Sequence, residues 1–199
     1  MSEQHPKTLL IACGALAEET LAVIEANGWD HLSVTCLPAK LHNRPVLIPE
    51  AMRQKIQDNR DQFDQILALY GDCGTAGKLD AVLDEEGVER IAGAHCYEFF
   101  MGAQQFQAAA DEELGTLYLT DFLARHFDKL IMEGMGIEKH PELLPLYFGN
   151  YKRLLYISQI ENAELQEKAK AAASKLSLNY EYRLTGLFGL EQFLAAKVV

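Results

Sequence analysis

The sequence predicts an α/β fold with a largely parallel sheet layered by helices. Two observations carry this. Short apolar runs alternate along the chain with longer amphipathic stretches, the strand–helix order that builds parallel sheets. Several runs also end at a cysteine or glycine, as at Cys13-Gly14 and Gly71-Asp72-Cys73-Gly74, where a strand can turn tightly into the next helix. The length of 199 residues fits one domain on the usual scale of ~100–200 residues each. One α/β domain over residues 1–199 is expected, with Met1 to about Lys7 as a loose tail.

Thr8 to Ala12 reads as the first strand, ended by Cys13-Gly14, and Ala15 to Ala26 as a helix stopped by Asn27-Gly28. Leu32 to Leu37 is the second strand and carries Cys36 near its end. A polar loop from Pro38 to Pro45 follows, bounded by prolines that cannot continue a ladder. Pro49 suits the first turn of a helix running to about Phe63. Ile66 to Tyr70 is the third strand, and Leu79 to Glu86 a short helix closed by Gly87. Arg90 to Ala94 is a fourth candidate strand, weakened by Gly93, leading into His95-Cys96-Tyr97-Glu98. Beyond it come a helix over Ala103 to Glu113, a β-rich run over Thr116 to Leu119, and a helix through Met132 with Asp121 as its cap. The remaining elements are a strand over Leu154 to Ile160, a helix over Glu161 to Leu176, a strand over Tyr180 to Leu184, and a closing helix near Leu190 to Ala196.

Acidic residues outnumber basic ones by 29 to 18, a formal charge of −11. Such a surface repels phosphate backbones, so no nucleic-acid partner is expected. No segment approaches the ~18 uninterrupted apolar residues that span a bilayer, and MSEQHPK lacks the basic start and apolar core of a secretory signal. A cytoplasmic protein without membrane contact is expected. Four cysteines in such a chain are core residues, metal ligands or catalytic thiols rather than a disulfide framework.

Those cysteines define the candidate site. Cys13, Cys36, Cys73 and Cys96 each fall at or just after the C-terminal end of a proposed strand, and parallel neighbours would set all four along one rim. The plainer reading of any single one is core filling, since cysteine is among the most buried residues. Glycine or histidine beside Cys13, Cys73 and Cys96 is not something packing requires. Convergent thiolates suit zinc or an iron–sulfur cluster, and the expected ligands are Cys13, Cys73 and Cys96, with Cys36 or His95 as an additional one. No Cys-x-x-Cys pair is present.

A metal-independent alternative makes Cys73 a nucleophile or proton donor and His95 its base. A third reading is a non-catalytic small-ligand binder. Gly14, Gly71 and Gly74 are candidates for close backbone approach to a bound group. His42, in the loop before Pro45, can reach the same rim, and Arg44 can hold an anionic ligand; their plainer roles are bonding to backbone and facing solvent. Asp72 and Glu98 flank two of the cysteines, with helix capping and solvent exposure as their plainer roles. Gly74-Thr75-Ala76-Gly77-Lys78 fails as a phosphate loop, because the spacing from Gly71 is one residue too long and Leu79 stands where a hydroxyl is needed.

Six separated stretches resemble one family: LLIACGALAEE, CLPAKLHNRP, YGDCG, AGAHCYEFFMG, GTLYLTDFL and HPELLPLYFGNY. Together they are similar to the domain-of-unknown-function 1638 group, over roughly Leu9 to Leu190. The resemblance implies a link to corrinoid-dependent methyl transfer from methylated amines, and a methyltransferase-system protein as partner beside a small-molecule ligand. It matches Cys73, Cys96 and the leading Cys13-Gly14. It departs at His95-Cys96, where the family pattern has a residue between histidine and cysteine, and this leaves the role of His95 open. An Asp-x-His-x-x-Gly segment is absent, so the chain is not expected to carry the corrinoid itself.

Overall fold

The computed structural model describes residues 5–198. In chain order the elements are β1 (Thr8–Cys13), α1 (Ala17–Asn27), β2 (Leu32–Leu37), α2 (Ile48–Asn59), β3 (Gln65–Leu69), α3 (Lys78–Glu86), β4 (Glu89–Arg90), α4 (Cys96–Met101), α5 (Ala103–Glu112), β5 (Thr116–Leu119), α6 (Asp121–Phe127), α7 (Leu144–Phe148), β6 (Arg153–Ser158), α8 (Ala163–Lys175), β7 (Asn179–Leu184) and α9 (Phe188–Val198). Short 3₁₀ turns join several of them, and a π-helical stretch, Asp128–Glu133, extends α6. The fold class is α/β, with parallel strands flanked by helices.

Two compact units divide the chain, residues 5–99 with 187–198 and residues 100–186. The strand–helix order runs through both without a linker; what separates them is ladder membership.

The first unit is built on a four-stranded sheet in the order β2-β1-β3-β4. All of its ladders are parallel, so the four carboxyl ends share one rim. β1 is buried at every position, and its unbroken apolar sequence is what a central parallel strand covered on both faces requires. Helix α1 packs with α9, and α2 with α3. The chain leaves β1 for β2 on one side and returns to β3 on the other. The order therefore reverses between β1 and β3, the place where open α/β sheets bind ligands.

β4 is shorter than the run from Arg90 to Ala94 suggested. Past Arg90 the carbonyls of Ile91 and Gly93 accept from the Arg90 guanidinium at 2.8 and 3.0 Å, and Gly93 takes φ +137°. Only the Ile91 N–H still reaches the sheet, donating to Ala68. The expected tail is in part outside the described residues, namely 1–4; Lys7 is tied to Asp64 through its backbone N–H and carbonyl.

The second unit carries the parallel sheet β5-β6-β7. Its core gathers Leu119, Phe127, Leu154, Tyr156, Leu165, Ala169 and Leu176, with β6 wholly buried at the centre. Thr120, not Asp121, caps α6, its hydroxyl accepting from Leu123 N–H. Asp121 is buried one residue later. There its carboxylate accepts from Tyr156 Oη at 2.5 Å and from the N–H groups of Gln159 and Ile160 at 3.1 and 3.0 Å. From the first helical position its short side chain reaches the loop after β6 and satisfies the Gln159 and Ile160 N–H groups there.

Candidate functional site

Cys13 ends β1, and its ladder partner on β2 is Leu37. One step past the last β1–β3 rung, Ala12 with Leu69, Cys13 and Tyr70 follow side by side. The Cys13 sulfur accepts a hydrogen bond from Ala15 N–H at 3.3 Å and lies 4.0 Å from Nδ1 of His42. Gly14 allows this turn to lie low, since a side-chain carbon there would stand 3.2 Å from the Leu37 carbonyl oxygen.

Cys73 sits in the loop after β3, at φ +50°, a left-handed conformation uncommon for a residue with a side chain. The Asp72 carboxylate holds this loop, accepting from Thr75 Oγ1 at 2.7 Å, Gly77 N at 2.8 Å and Ala76 N at 3.2 Å. These bonds keep its pKa below the usual carboxylate value. The loop is laced to the one after β4, with Asp72 N–H and Cys73 N–H donating to Gly93 and Ala94 carbonyls at 3.2 and 2.9 Å. At Gly71 a side-chain carbon would stand 3.0 Å from the His95 backbone, so only glycine lets the two loops touch.

Cys96 opens α4. Its loop is fixed from two directions, by Glu98, whose carboxylate accepts from Ala94 N–H at 2.8 Å, and by Arg90. The Arg90 guanidinium pairs in two-pronged fashion with Asp80, through Nε at 2.5 Å and Nη2 at 3.1 Å. Sequence reasoning passed over Arg90 as part of a strand; an arginine opening a short apolar run that breaks at Gly93 was the available signal.

Cys13 influences both of the other thiols. Burial pushes Cys13 up to about 11 and Cys73 up to about 12, and Cys96 well above its ordinary value. Cys73 is raised further by the charge a Cys13 thiolate would carry, and Cys96 by those of Cys73 and Cys13. Burial, then the charge of a Cys13 thiolate and a hydrogen bond to it, then the charges of Cys73 and Cys96, hold the Tyr70 phenol protonated far beyond the usual range.

Cys36 points away from this group, although its charge as a thiolate would still raise the Cys13 thiol. It is the ladder partner of Ala12, and strand side chains alternate faces, so it points to the face opposite Cys13. Lys55 of α2 is its charged neighbour. His95 is exposed yet close enough for its charge to be felt by His42. Gly74, at φ +81°, turns the Cys73 loop past the Pro45 ring. Gly14 and Gly71 thus accommodate the protein's own backbone. Among the described residues, no three histidine, cysteine, aspartate or glutamate side chains stand at metal-holding separation.

A cavity of about 300 Å³ in the second unit includes Arg125, Lys168 and Lys175 in its lining. Lys168 pairs with Glu164 and Lys175 with Asp128, so two of its cations are already matched. No described helix is long and apolar enough to cross a membrane.

The fold and this rim define a class: an α/β protein with cysteines at or past the carboxyl ends of three parallel strands, β1, β3 and β4. The chain belongs to the family described as "Protein of unknown function (DUF1638)", which matches residues 36–194. The matched part includes Cys36, Cys73 and Cys96, and Cys13 precedes it. Comparison with curated proteins and with solved structures gave no match.

Proposed function

We propose that the rim formed by Cys13, Cys73 and Cys96 binds a soft or borderline metal, zinc or an iron–sulfur cluster, and through it a small-molecule ligand. One observation carries this reading. Cys13, Cys73 and Cys96 stand at or past the carboxyl ends of β1, β3 and β4 of one parallel sheet, and burial without a cation keeps them protonated. A metal ion that displaces the thiol protons to solvent balances the thiolate charges that burial otherwise disfavours. The donor set has the right chemistry, since thiolates suit zinc and iron–sulfur centres. It is not closed on one point, so binding draws the thiols inward and is coupled to ordering of their loops.

The chain's own residues divide the work. Ala15 N–H orients the Cys13 sulfur, the Asp72 bonds hold the Cys73 loop, and Arg90 and Glu98 hold the approach to Cys96. A bound metal would supply an open coordination position for a small sulfur-, nitrogen- or methyl-bearing ligand. A place in a methylamine or methyl-transfer pathway, beside a methyltransferase-system protein, is the extension suggested by the family resemblance. The cytoplasm, where thiols stay reduced, suits such a site.

The metal-independent reading, with Cys73 as nucleophile and His95 as base, has less support. A nucleophilic cysteine works as thiolate, and burial drives Cys73 the other way. Elemental analysis and the optical spectrum of anaerobically purified protein test the proposal. One metal centre per chain is expected; protein that takes up neither zinc nor reconstituted iron and sulfide overturns it.

A further inference from the structure

The Tyr70 side chain is 1% exposed, and its hydroxyl makes no hydrogen bond of ordinary geometry among the described residues, although the Cys13 thiol is within weak bonding reach. Buried tyrosines ordinarily bond this group. Its surroundings are Cys13, Cys73 and Cys96, and the His42 ring stacks on its ring, centroids 5.8 Å apart and planes 15° from parallel. A protonated thiol is a weak acceptor, so the phenol has little to donate to. A thiolate in the same place is a strong one.

The Cys13 sulfur is the best placed to receive it. It already accepts from Ala15 N–H at 3.3 Å. His42 Nδ1 lies 4.0 Å away and also 2.9 Å from the Ala39 carbonyl. A carbonyl only accepts, so Nδ1 carries the hydrogen and presents a second donor towards Cys13.

We infer that Tyr70 is a positioning residue of the metal site. When a soft divalent ion displaces the Cys13 proton to solvent, the Tyr70 O–H donates to the sulfur left behind. With Ala15 N–H and, at longer range, His42 Nδ1–H, it fixes the direction in which that thiolate faces the ion. The phenol keeps its proton throughout. The inference rests on the metal-binding reading above and adds a donor outside the ligand set, of the kind whose loss weakens metal sites.

The test loads wild-type protein and Tyr70→Phe with Cd²⁺ alone, following the sulfur-to-metal absorption band and the affinity by chelator competition. Phenylalanine keeps the ring and removes only the donor. The variant is expected to bind the same number of ions about ten-fold more weakly, with the band moved to longer wavelength because the sulfur lone pair is no longer stabilised. An unchanged band and affinity overturns the inference while the metal site stands. Wild-type protein that binds no Cd²⁺ instead overturns the underlying reading. Should Tyr70→Phe fail to fold, 3-fluorotyrosine placed at position 70 is a stronger donor of nearly the same shape. It is expected to shift the band to shorter wavelength, and no shift overturns the inference.

Discussion

Cys13 on β1 and Cys36 on β2 point to opposite faces of one sheet although both lie at its carboxyl rim, because Ala12, not Cys13, is the rung partner of Cys36. The two are therefore expected to behave differently. Cys13→Ser, Cys73→Ser and Cys96→Ser should each weaken Zn²⁺ binding at least ten-fold, whereas Cys36→Ser should leave it within a factor of about two, as ligand sets of three or four thiolates imply. Titration against a chromophoric chelator separates the cases; equal losses at Cys36 and Cys13 would sink the assignment.

Metal-free protein should lose stability in alkali. Cys13 has a folded pKa of about 11 against an ordinary value of 9.0, so above pH 9 the unfolded chain releases this proton more readily than the folded one. The thiol's contribution is intact below pH 9 and disappears as pH rises through about 11. The linkage is about 3 kcal/mol at full extent. Urea unfolding midpoints from pH 8 to 11 should fall more steeply for wild type than for Cys13→Ser, and parallel slopes would contradict the buried thiol.

Arg90 acts through the loop it holds. Arg90→Met leaves the Ile91 and Gly93 carbonyls without this donor and Asp80 without its partner. A loss of about 1–3 kcal/mol is expected. Hydrogen exchange should quicken at Asp72 and Cys73, whose N–H groups bond to Gly93 and Ala94. Unchanged protection at these two amides would mean that the loop holds without the guanidinium.

Gly71→Ala tests the contact between the two cysteine loops. The added methyl meets the His95 backbone at 3.0 Å, and backbone cannot turn aside as a side chain can. Destabilisation of about 1–3 kcal/mol is expected from overpacking, together with weaker metal uptake. The urea midpoint measures the first; an unaltered midpoint would show that the loops can separate freely.

In the second unit, Asp121→Ala strands three donors, Tyr156 Oη and the N–H groups of Gln159 and Ile160. A cost of about 3 kcal/mol or more is expected from unpaired buried groups. Thermal unfolding measures it, and a shift within error of wild type would remove Asp121 from the framework.

Much of this arrangement is legible in the sequence. An unbroken apolar run followed by cysteine and glycine marks β1 and β3 as buried parallel strands and puts Cys13 and Cys73 at their ends. The parity of Cys36 is not legible, because the face it takes depends on a one-residue choice of register against β1. Tyr70 reads as the last residue of an apolar strand, and only the fold surrounds its hydroxyl with thiols. His42 is visible as a loop histidine, but its stacking on Tyr70 depends on where the chain after β2 returns. Asp121 reads as a cap because its local context favours one, and the competing donors come from β6 and the loop after it, far along the chain.

The rung that joins β1 to β3 also sets a clock. Thr8 and Gln65, bonded at its base, are 57 residues apart, so this closure is a long-range event of the kind that slows folding. Until it happens Cys13 and Tyr70 are not neighbours, and the cysteines react as ordinary open-chain thiols. Afterwards Cys13 is buried. Pulsed alkylation during refolding can therefore time the joining of these two strands, with the protein's own sulfur as the reporter.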